Sequence, residues 1–170
     1  AQVPGGDELR LFRRDRDYTI VLGRNELMNS RMSGSEERLA TLTCARLKNQ
    51  INPRLLVGGY GMGFTLRAAL AAGPQVRATV AELVPEIIAW ARGPMAALTD
   101  GCLDDPRVTL GMGDVSAFID DAADGTTGQY DAILLDVDNG PDGLVRAAND
   151  RLYSAAGLAA ARAALRPGGV

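Results

Sequence analysis

The chain has 170 residues, of which 46% are apolar, and it carries a formal net charge of −3. This length and composition predict one globular domain with a substantial core, and the acidic balance gives no footprint of a nucleic-acid partner. Histidine is absent from the sequence, which excludes histidine-based nucleophilic sites, histidine general bases and most catalytic zinc sites within these residues.

The cysteine content and the hydropathy of the sequence indicate the cellular location of the protein. Cys44 and Cys102 are far apart and have no CxxC or Cys/His companion, so we predict neither a metal site nor a disulfide framework. There is no secretory h-region and no apolar run long enough to cross a bilayer. We therefore expect a soluble cytoplasmic protein with no membrane partner.

The N-terminal part predicts a β-hairpin followed by a helix. Apolar residues at 9–12 and 18–22 flank a charged Arg-Asp-Arg-Asp turn. Ser33 and Glu36 then have the spacing of a capping box at a helix start. The apolar face of this helix is predicted to comprise Ala40, Cys44, Leu47 and Ile51. Pro53, which follows Asn52, is expected to end it.

From residue 54 the pattern changes to alternating strands and helices. The strands are predicted at residues 55–57, 76–81, 107–110 and 130–135, and the helices near 66–70, 84–92, 116–123 and 155–165. The unbroken apolar run 132–135 is typical of a strand covered on both faces, so we expect a mostly parallel α/β sheet flanked by helices.

The predicted organisation has two parts that form one compact unit. Residues 1–50 supply the hairpin and first helix, and residues 51–170 supply a Rossmann-like core. Helix, Pro-Gly-Gly and Val170 resemble the approach to a further strand. We therefore expect the C-terminal strands of the sheet to be missing from this sequence.

A glycine turn lies between the first core strand and the next helix. A dinucleotide fingerprint starting at Gly59 would need glycine at position 64, where the chain has Phe64, so a nicotinamide oxidoreductase is disfavoured. Gly59, Gly61 and Gly63 instead form G-x-G-x-G, which favours a nucleoside with no pyrophosphate. Such turns also occur for packing reasons, so the pattern alone is a weak signal.

Carboxylates follow the next three strands. Glu82 is placed to accept hydrogen bonds from ribose hydroxyls or to complement a helix N-terminus. Asp114 is placed to accept the adenine amine or to cap the next helix. Asp136 and Asp138 close the fourth strand, and we expect them to border the crevice at the carboxyl ends of the strands, where open α/β sheets bind ligands.

These segments together resemble a known family. The runs LLVGGYGMGFTLRAAL, VAELVPEI, GMGDVSAF and YDAILLDVDNGP are similar to the spermidine synthase-like branch of the class I S-adenosylmethionine-dependent methyltransferase fold. The resemblance implies that the protein binds S-adenosylmethionine or its decarboxylated form as co-substrate, without a metal. It also implies transfer of a methyl or aminopropyl group to a small-molecule amine such as a polyamine. It is compatible with a homodimer.

The resemblance assigns roles to individual residues. The turn containing Gly58, Gly59, Gly61 and Gly63 would pass under the sulfonium nucleoside. Glu82 with Leu83 would hold the ribose, and Asp114 with Val115 the adenine. Asp136 matches the first aspartate of the synthases' Asp-x-x-Asp-Pro motif and would help deprotonate the attacking amine, with Asp138 as a displaced second acid.

Two departures from the family pattern leave the acceptor open. The aspartate motif is shortened, and Ser35-Glu36-Glu37 stands where the synthases use Tyr-His-Glu or Tyr-Gln-Glu to hold the polyamine. We therefore expect a nucleoside site more strongly than a polyamine site. The alternative hypothesis is a catalytically silent nucleoside-binding or partner-binding module of the same fold.

Overall fold

The computed structural model describes residues 8–137 and 150–170, and it begins with a three-stranded antiparallel sheet. Strands β1 (Leu9–Arg14) and β2 (Asp17–Leu22) form the predicted hairpin. A third strand, β3 (Asn25–Asn29), pairs with β2 and was not predicted. Its sequence, NELMN, lacks the alternation of apolar and polar residues that identifies a half-buried strand.

Helix α1 (Gly34–Arg46) follows the sheet, but the predicted capping box is wrong. Ser33 is the N-cap with φ −111° and ψ 1°, away from the extended conformation that directs a cap side chain at the first helical N–H groups. Its hydroxyl instead lies 3.1 Å from a carboxylate oxygen of Glu37. Glu36 is therefore not tied to Ser33 in a capping box.

The predicted extent of this helix is also wrong. Ala40 and Leu47 are buried, but Ile51 is 81% exposed. The helix ends at Arg46, with Leu47 as its C-cap, and the chain turns before the left-handed Asn52 (φ 51°). Leaving the helix at Leu47 breaks the periodicity that would have buried Ile51.

The core is the predicted parallel α/β sheet. Its strands are β4 (Arg54–Gly58), β5 (Arg77–Glu82), β6 (Val108–Met112) and β7 (Ala132–Leu135), in the order β6-β5-β4-β7. All three pairings are parallel. Chain order reverses between β4 and β7, so this switch point is where a ligand crevice is expected.

Helices connect these strands and flank the sheet. They are α2 (Phe64–Ala71), α3 (Pro85–Arg92), α4 (Val115–Ala123), α5 (Asp150–Tyr153) and α6 (Ala155–Ala164), with short 3₁₀ turns at Ala96–Leu98 and Cys102–Asp104. Each predicted core strand and helix is confirmed to within a few residues. No helix in the described ranges is long and apolar enough to cross a membrane.

The N-terminal elements pack directly on this core. Leu9 and Ile20 of the antiparallel sheet share an apolar cluster with Val80 of β5. Ala40 of α1 shares another with Leu55 of β4. Full burial of one such leucine or isoleucine side chain contributes roughly 1.5–3 kcal/mol, so this packing holds the N-terminal sheet beside the strand ends.

The segment after α6 runs beside β7. The Tyr130 N–H donates to the Ala164 carbonyl (2.9 Å), the Val170 N–H to the Asp131 carbonyl (3.0 Å) and the Ile133 N–H to the Val170 carbonyl (2.9 Å). The buried Asp131 carboxylate also accepts from the Arg54 N–H (2.7 Å). Val170 is therefore held beside β7 through both its N–H and its carbonyl.

Candidate functional site: a glycine turn and four carboxylates

The glycine turn leaves β4 at the switch point and lies against the end of β7. Gly59 and Gly61 have φ of 84° and 56°, a backbone region that disfavours residues with a Cβ. A Cβ on Gly59 would lie only 2.6 Å from the Asp136 carbonyl oxygen. Glycine is therefore required for the close approach of these two strand ends.

Tyr60 anchors the same turn from below. Its hydroxyl lies 3.3 Å from the Thr99 hydroxyl, in a buried position. Gly63, the N-cap of α2, has φ 80°, and a Cβ there would lie 2.6 Å from the Tyr60 hydroxyl oxygen. Burial raises the pKa of Tyr60 well above its usual range, so this phenol stays neutral and acts as a structural anchor.

Glu82 closes β5 and is only 6% exposed. One carboxylate oxygen accepts the Tyr60 N–H and the other accepts the Val84 N–H, both at 2.8 Å. Burial raises the pKa of Glu82, while these backbone N–H groups oppose that rise. The backbone N–H groups of Gly61 and Leu83 also lower the pKa of Glu82, so this carboxylate holds the glycine turn at its place beside β5.

Asp114 follows β6 and is exposed. It is the N-cap of α4, and its Oδ1 accepts the Ser116 N–H at 2.8 Å. Asp114 therefore caps α4, which is one of the two roles that its position in the sequence suggests. Its second oxygen has no partner among the described residues, so one carboxylate supplies the cap and also has an acceptor for a ligand amine.

Asp136 follows β7 and is partly buried. Its Oδ2 accepts the Thr65 hydroxyl at 2.7 Å. Burial raises the pKa of Asp136, the Thr65 hydrogen bond lowers it, and the nearby negative charge of Glu36 raises it. The result is a carboxyl group whose pKa lies above the usual aspartate range, next to the switch point.

These residues border a cavity of about 160 Å³ at the carboxyl ends of the strands. Its floor comes from the core, and its lining includes Gly59, Gly61, Glu82, Leu83, Asp114, Val115 and Asp136. Its other side is apolar and comes from the N-terminal sheet, through Leu9, Leu22, Leu27 and Met28. A mostly apolar lining that also carries the carboxylates of Glu82, Asp114 and Asp136 suits a flat heterocycle attached to a sugar.

A second cavity, of about 70 Å³, adjoins the first. The two share residues around Gly61, Met28 and Asp136, and the second also contains Glu36, Tyr60 and Phe64. It thus brings together two carboxylates, those of Glu36 and Asp136. No arginine or lysine from the described residues lines either cavity.

The structure brings most of the predicted site residues together, with three exceptions. Gly58 lies inside β4, where a Cβ would meet Val115 at 2.9 Å, and it lines neither cavity. Gly63 also lines neither, since it packs under Tyr60. Asp138 lies outside the described residues. Within the described ranges no group of three or more Cys, Asp or Glu is arranged to hold a metal ion.

The sequence does not identify the N-terminal lining or single out Thr65. Leu27 and Met28 belong to the unpredicted strand β3. Glu36 is predicted in a capping box, and it also lies in the segment that stands where the synthases hold the polyamine. The helix that follows a G-x-G-x-G turn begins close to the strand ends. The position of Thr65 at the start of this helix is therefore the signal that could have identified it.

The strand order and the position of the glycine turn define a class I methyltransferase fold. Spermidine synthase from Thermotoga maritima superimposes with a TM-score of 0.73 and 21% identity, over 95% of this chain and 52% of that one. A spermidine synthase in complex with the transition-state analogue AdoDATO superimposes with a TM-score of 0.71. Human methyltransferase-like protein 13 in complex with SAH gives 0.59 at 23% identity, over 81% of this chain and 61% of that one.

The sequence comparisons confirm the resemblance to the spermidine synthase-like branch of this fold. A polyamine aminopropyltransferase of Pyrobaculum calidifontis is 27% identical over 122 residues, 71% of this chain and 42% of the relative. Putrescine N-methyltransferase 4 of Nicotiana tabacum is 35% identical over 121 residues, 70% of this chain and 29% of the relative. No protein-family model matches. The chain spans less than half the length of these relatives, and both relatives are group transferases.

Proposed function

We propose that the chain forms the donor-binding core of a transferase that moves an alkyl group from an S-adenosylmethionine-type sulfonium nucleoside to an amine. The observation that carries the proposal is the position of Asp136, which lines both adjoining cavities at the switch point of the sheet. One cavity has the lining expected for a nucleoside and the other is acidic. The relatives, which are aminopropyl- and methyltransferases, support the same reaction class.

The larger cavity is assigned to the donor nucleoside. Glu82 accepts the ribose hydroxyls, Asp114 accepts the adenine amine, and the turn at Gly59 and Gly61 lies beneath the sulfonium. Leu83 and Val115 contact the nucleoside from the core side, and the apolar side chains of the N-terminal sheet cover it. The structural neighbours bound to AdoDATO and SAH support a ligand of this class.

The smaller cavity is assigned to the acceptor amine. Its two carboxylates, Glu36 and Asp136, attract an ammonium. Because Glu36 occupies this cavity, the chain supplies an acidic acceptor site although its helix-start segment departs from the family pattern. The names of the relatives support a polyamine, with putrescine as the first candidate.

The charge of the site favours the decarboxylated donor. The described lining of the two cavities contains Glu36, Glu82, Asp114 and Asp136 but no basic side chain. A donor that keeps the methionine carboxylate would bring a fifth negative charge close to this cluster, and the described lining offers no basic side chain to pair with it. We therefore assign aminopropyl transfer to this chain in preference to methyl transfer.

The reaction needs an acceptor that has lost its proton. An alkylamine has a pKa near 10, so it arrives as an ammonium and transfers one proton to the Asp136 carboxylate. The nitrogen lone pair then forms a bond to the donor carbon adjacent to S⁺, and the electrons of the broken C–S bond pass to sulfur. The products are a substituted ammonium and a neutral thioether nucleoside. Alignment of nitrogen, carbon and sulfur supplies the remaining rate enhancement.

A calorimetric titration tests the proposal directly. We expect decarboxylated S-adenosylmethionine and 5′-methylthioadenosine to bind more tightly than S-adenosylmethionine, and NAD not to bind. With putrescine added, we expect methylthioadenosine as a product. Tighter binding of S-adenosylmethionine would overturn the donor assignment, and binding of NAD alone would overturn the nucleoside assignment. Nucleoside binding without turnover for any amine would favour the catalytically silent module instead.

A further inference from the structure

Thr65 links the two sides of the acceptor cavity. It is the second residue of α2 and only 2% exposed. Its hydroxyl lies 2.7 Å from Asp136 Oδ2 and 3.4 Å from the backbone carbonyl oxygen of Glu36. One buried hydroxyl thus contacts the end of β7 and the first turn of α1.

We propose that Thr65 is a positioning residue that fixes the orientation and the ionised state of Asp136. The inference rests on the proposed function, in which Asp136 receives the acceptor's proton. Thr65 binds one carboxylate oxygen, and the other has no hydrogen-bond partner among the described residues. Rotation of the carboxylate is thereby restricted, and one oxygen is left for the ammonium.

The electrostatic surroundings explain why such a donor is needed. Asp136 shares its two cavities with three other acids: Glu36 of α1 lines the acceptor cavity with it, and Glu82 of β5 and Asp114 after β6 line the donor cavity. Burial and the charge of Glu36 raise its pKa, which favours the protonated form that cannot accept a proton. Thr65 donates its hydrogen bond to the ionised form and opposes this effect.

A local explanation of Thr65 fits the geometry less well. A threonine in the first turn of a helix commonly bonds its own helix or the preceding turn. Here its hydroxyl reaches a side chain 71 positions away in the sequence. The contact therefore depends on the packing of α2 against the end of β7, which is where the acceptor site forms.

Three variants separate this role from a structural one. Thr65→Val keeps the shape but removes the hydroxyl, and Thr65→Ala serves the same purpose with less crowding if the valine variant does not fold. Thr65→Ser keeps the hydroxyl. Thr43→Val, a buried threonine of α1 that lines neither cavity, is the matched control for losing a helical threonine hydroxyl.

Two measurements are made on each variant: the pH dependence of kcat/KM with decarboxylated S-adenosylmethionine and putrescine, and the pKa of Asp136 by carboxyl ¹³C NMR, with Asp136→Asn identifying the resonance. For Thr65→Val we expect the acidic limb and the NMR pKa to move up together by about one pH unit, the size expected for losing a hydrogen bond to a charged group. Thr65→Ser and Thr43→Val should match the wild type.

The two readouts distinguish failure of this inference from failure of the proposed function. An unchanged NMR pKa in a folded Thr65→Val or Thr65→Ala variant would overturn the inference, as would an equal shift in Thr65→Ser. If the wild type transfers no group to any amine, the proposed function fails. The NMR titration then still decides whether Thr65 controls the ionisation of Asp136.

Discussion

Replacing Glu82 with glutamine separates its two roles, since it holds the glycine turn and is assigned the ribose. The carboxylate accepts two backbone N–H groups at 2.8 Å. Glutamine retains one carbonyl oxygen but presents an NH₂ group to the second donor, which loses its partner. A hydrogen bond to a charged group contributes about 1.5–3 kcal/mol. Relief of the buried charge offsets part of that loss.

We therefore expect Glu82→Gln to lower the free energy of unfolding by about 2 kcal/mol, which lowers the Tm of a domain of this size by roughly 4–8 °C. Thermal melting with and without 5′-methylthioadenosine measures both roles. The nucleoside should raise the wild-type Tm and leave that of Glu82→Gln unchanged. Glu86→Gln, in the first turn of α3 and lining neither cavity, is the control and should keep the full ligand-induced shift.

The pH dependence gives a further check with a definite sign. Because the folded-state pKa of Glu82 is raised by burial, its contribution to stability is present below the unfolded pKa. That contribution is lost as pH rises through the folded value. The stability of Glu82→Gln should lack this pH-dependent contribution. A variant that keeps the full nucleoside shift would refute the ribose assignment, and one with unchanged Tm without ligand would refute the role in holding the turn.

Three further predictions follow from individual contacts. Asp136→Asn should leave nucleoside affinity near the wild-type value and slow transfer, and loss of binding with folding retained would contradict the base assignment. Gly63→Ala should cost about 2–4 kcal/mol in urea unfolding because of its left-handed φ and crowded Cβ position, whereas Gly73→Ala, with open space, should not. The pKa of Asp105 is lowered to about 2, chiefly by the side-chain hydrogen bond from Arg107. Asp105 therefore stabilises the fold above pH 3.8, and this stabilisation is lost as the pH falls towards 2. Asp105→Asn should weaken the pH dependence of stability in acid unfolding.

The core of the fold was predictable because its signals are local. Each strand after residue 54 is a short apolar run, and turn or helix-start residues follow it. The glycine spacing at Gly59 and Gly61 reflects positive φ angles that other residues rarely adopt. The carboxylates at Glu82 and Asp114 follow strands directly. In a parallel sheet, a residue at the carboxyl end of a strand lies at the ligand crevice, so its position in the sequence is enough to predict its location.

The acceptor side was not predictable in the same way because it depends on packing between distant segments. Strand β3 has no alternating pattern, and it forms because the edge of β2 that faces away from β1 supplies hydrogen-bond partners and the core supplies an apolar surface. Glu36 had a plausible local role as a capping residue. Only the backbone conformation of Ser33 and the packing of α1 on α2 bring Glu36 to the second cavity.

The junction of the two cavities limits where the transferred group can move. A nucleoside in one cavity and an amine in the other would meet at the residues that line both, which are Leu27, Met28, Gly61, Asp136 and Val137. Glu82 belongs to the donor side alone and Glu36 to the acceptor side alone. A carboxylate that lines only one cavity can therefore affect the binding of one substrate without changing the binding of the other. This is why Glu36→Gln should raise the KM for the amine and leave nucleoside affinity unchanged in the same titration. If nucleoside affinity fell instead, the acceptor assignment of the second cavity would be wrong.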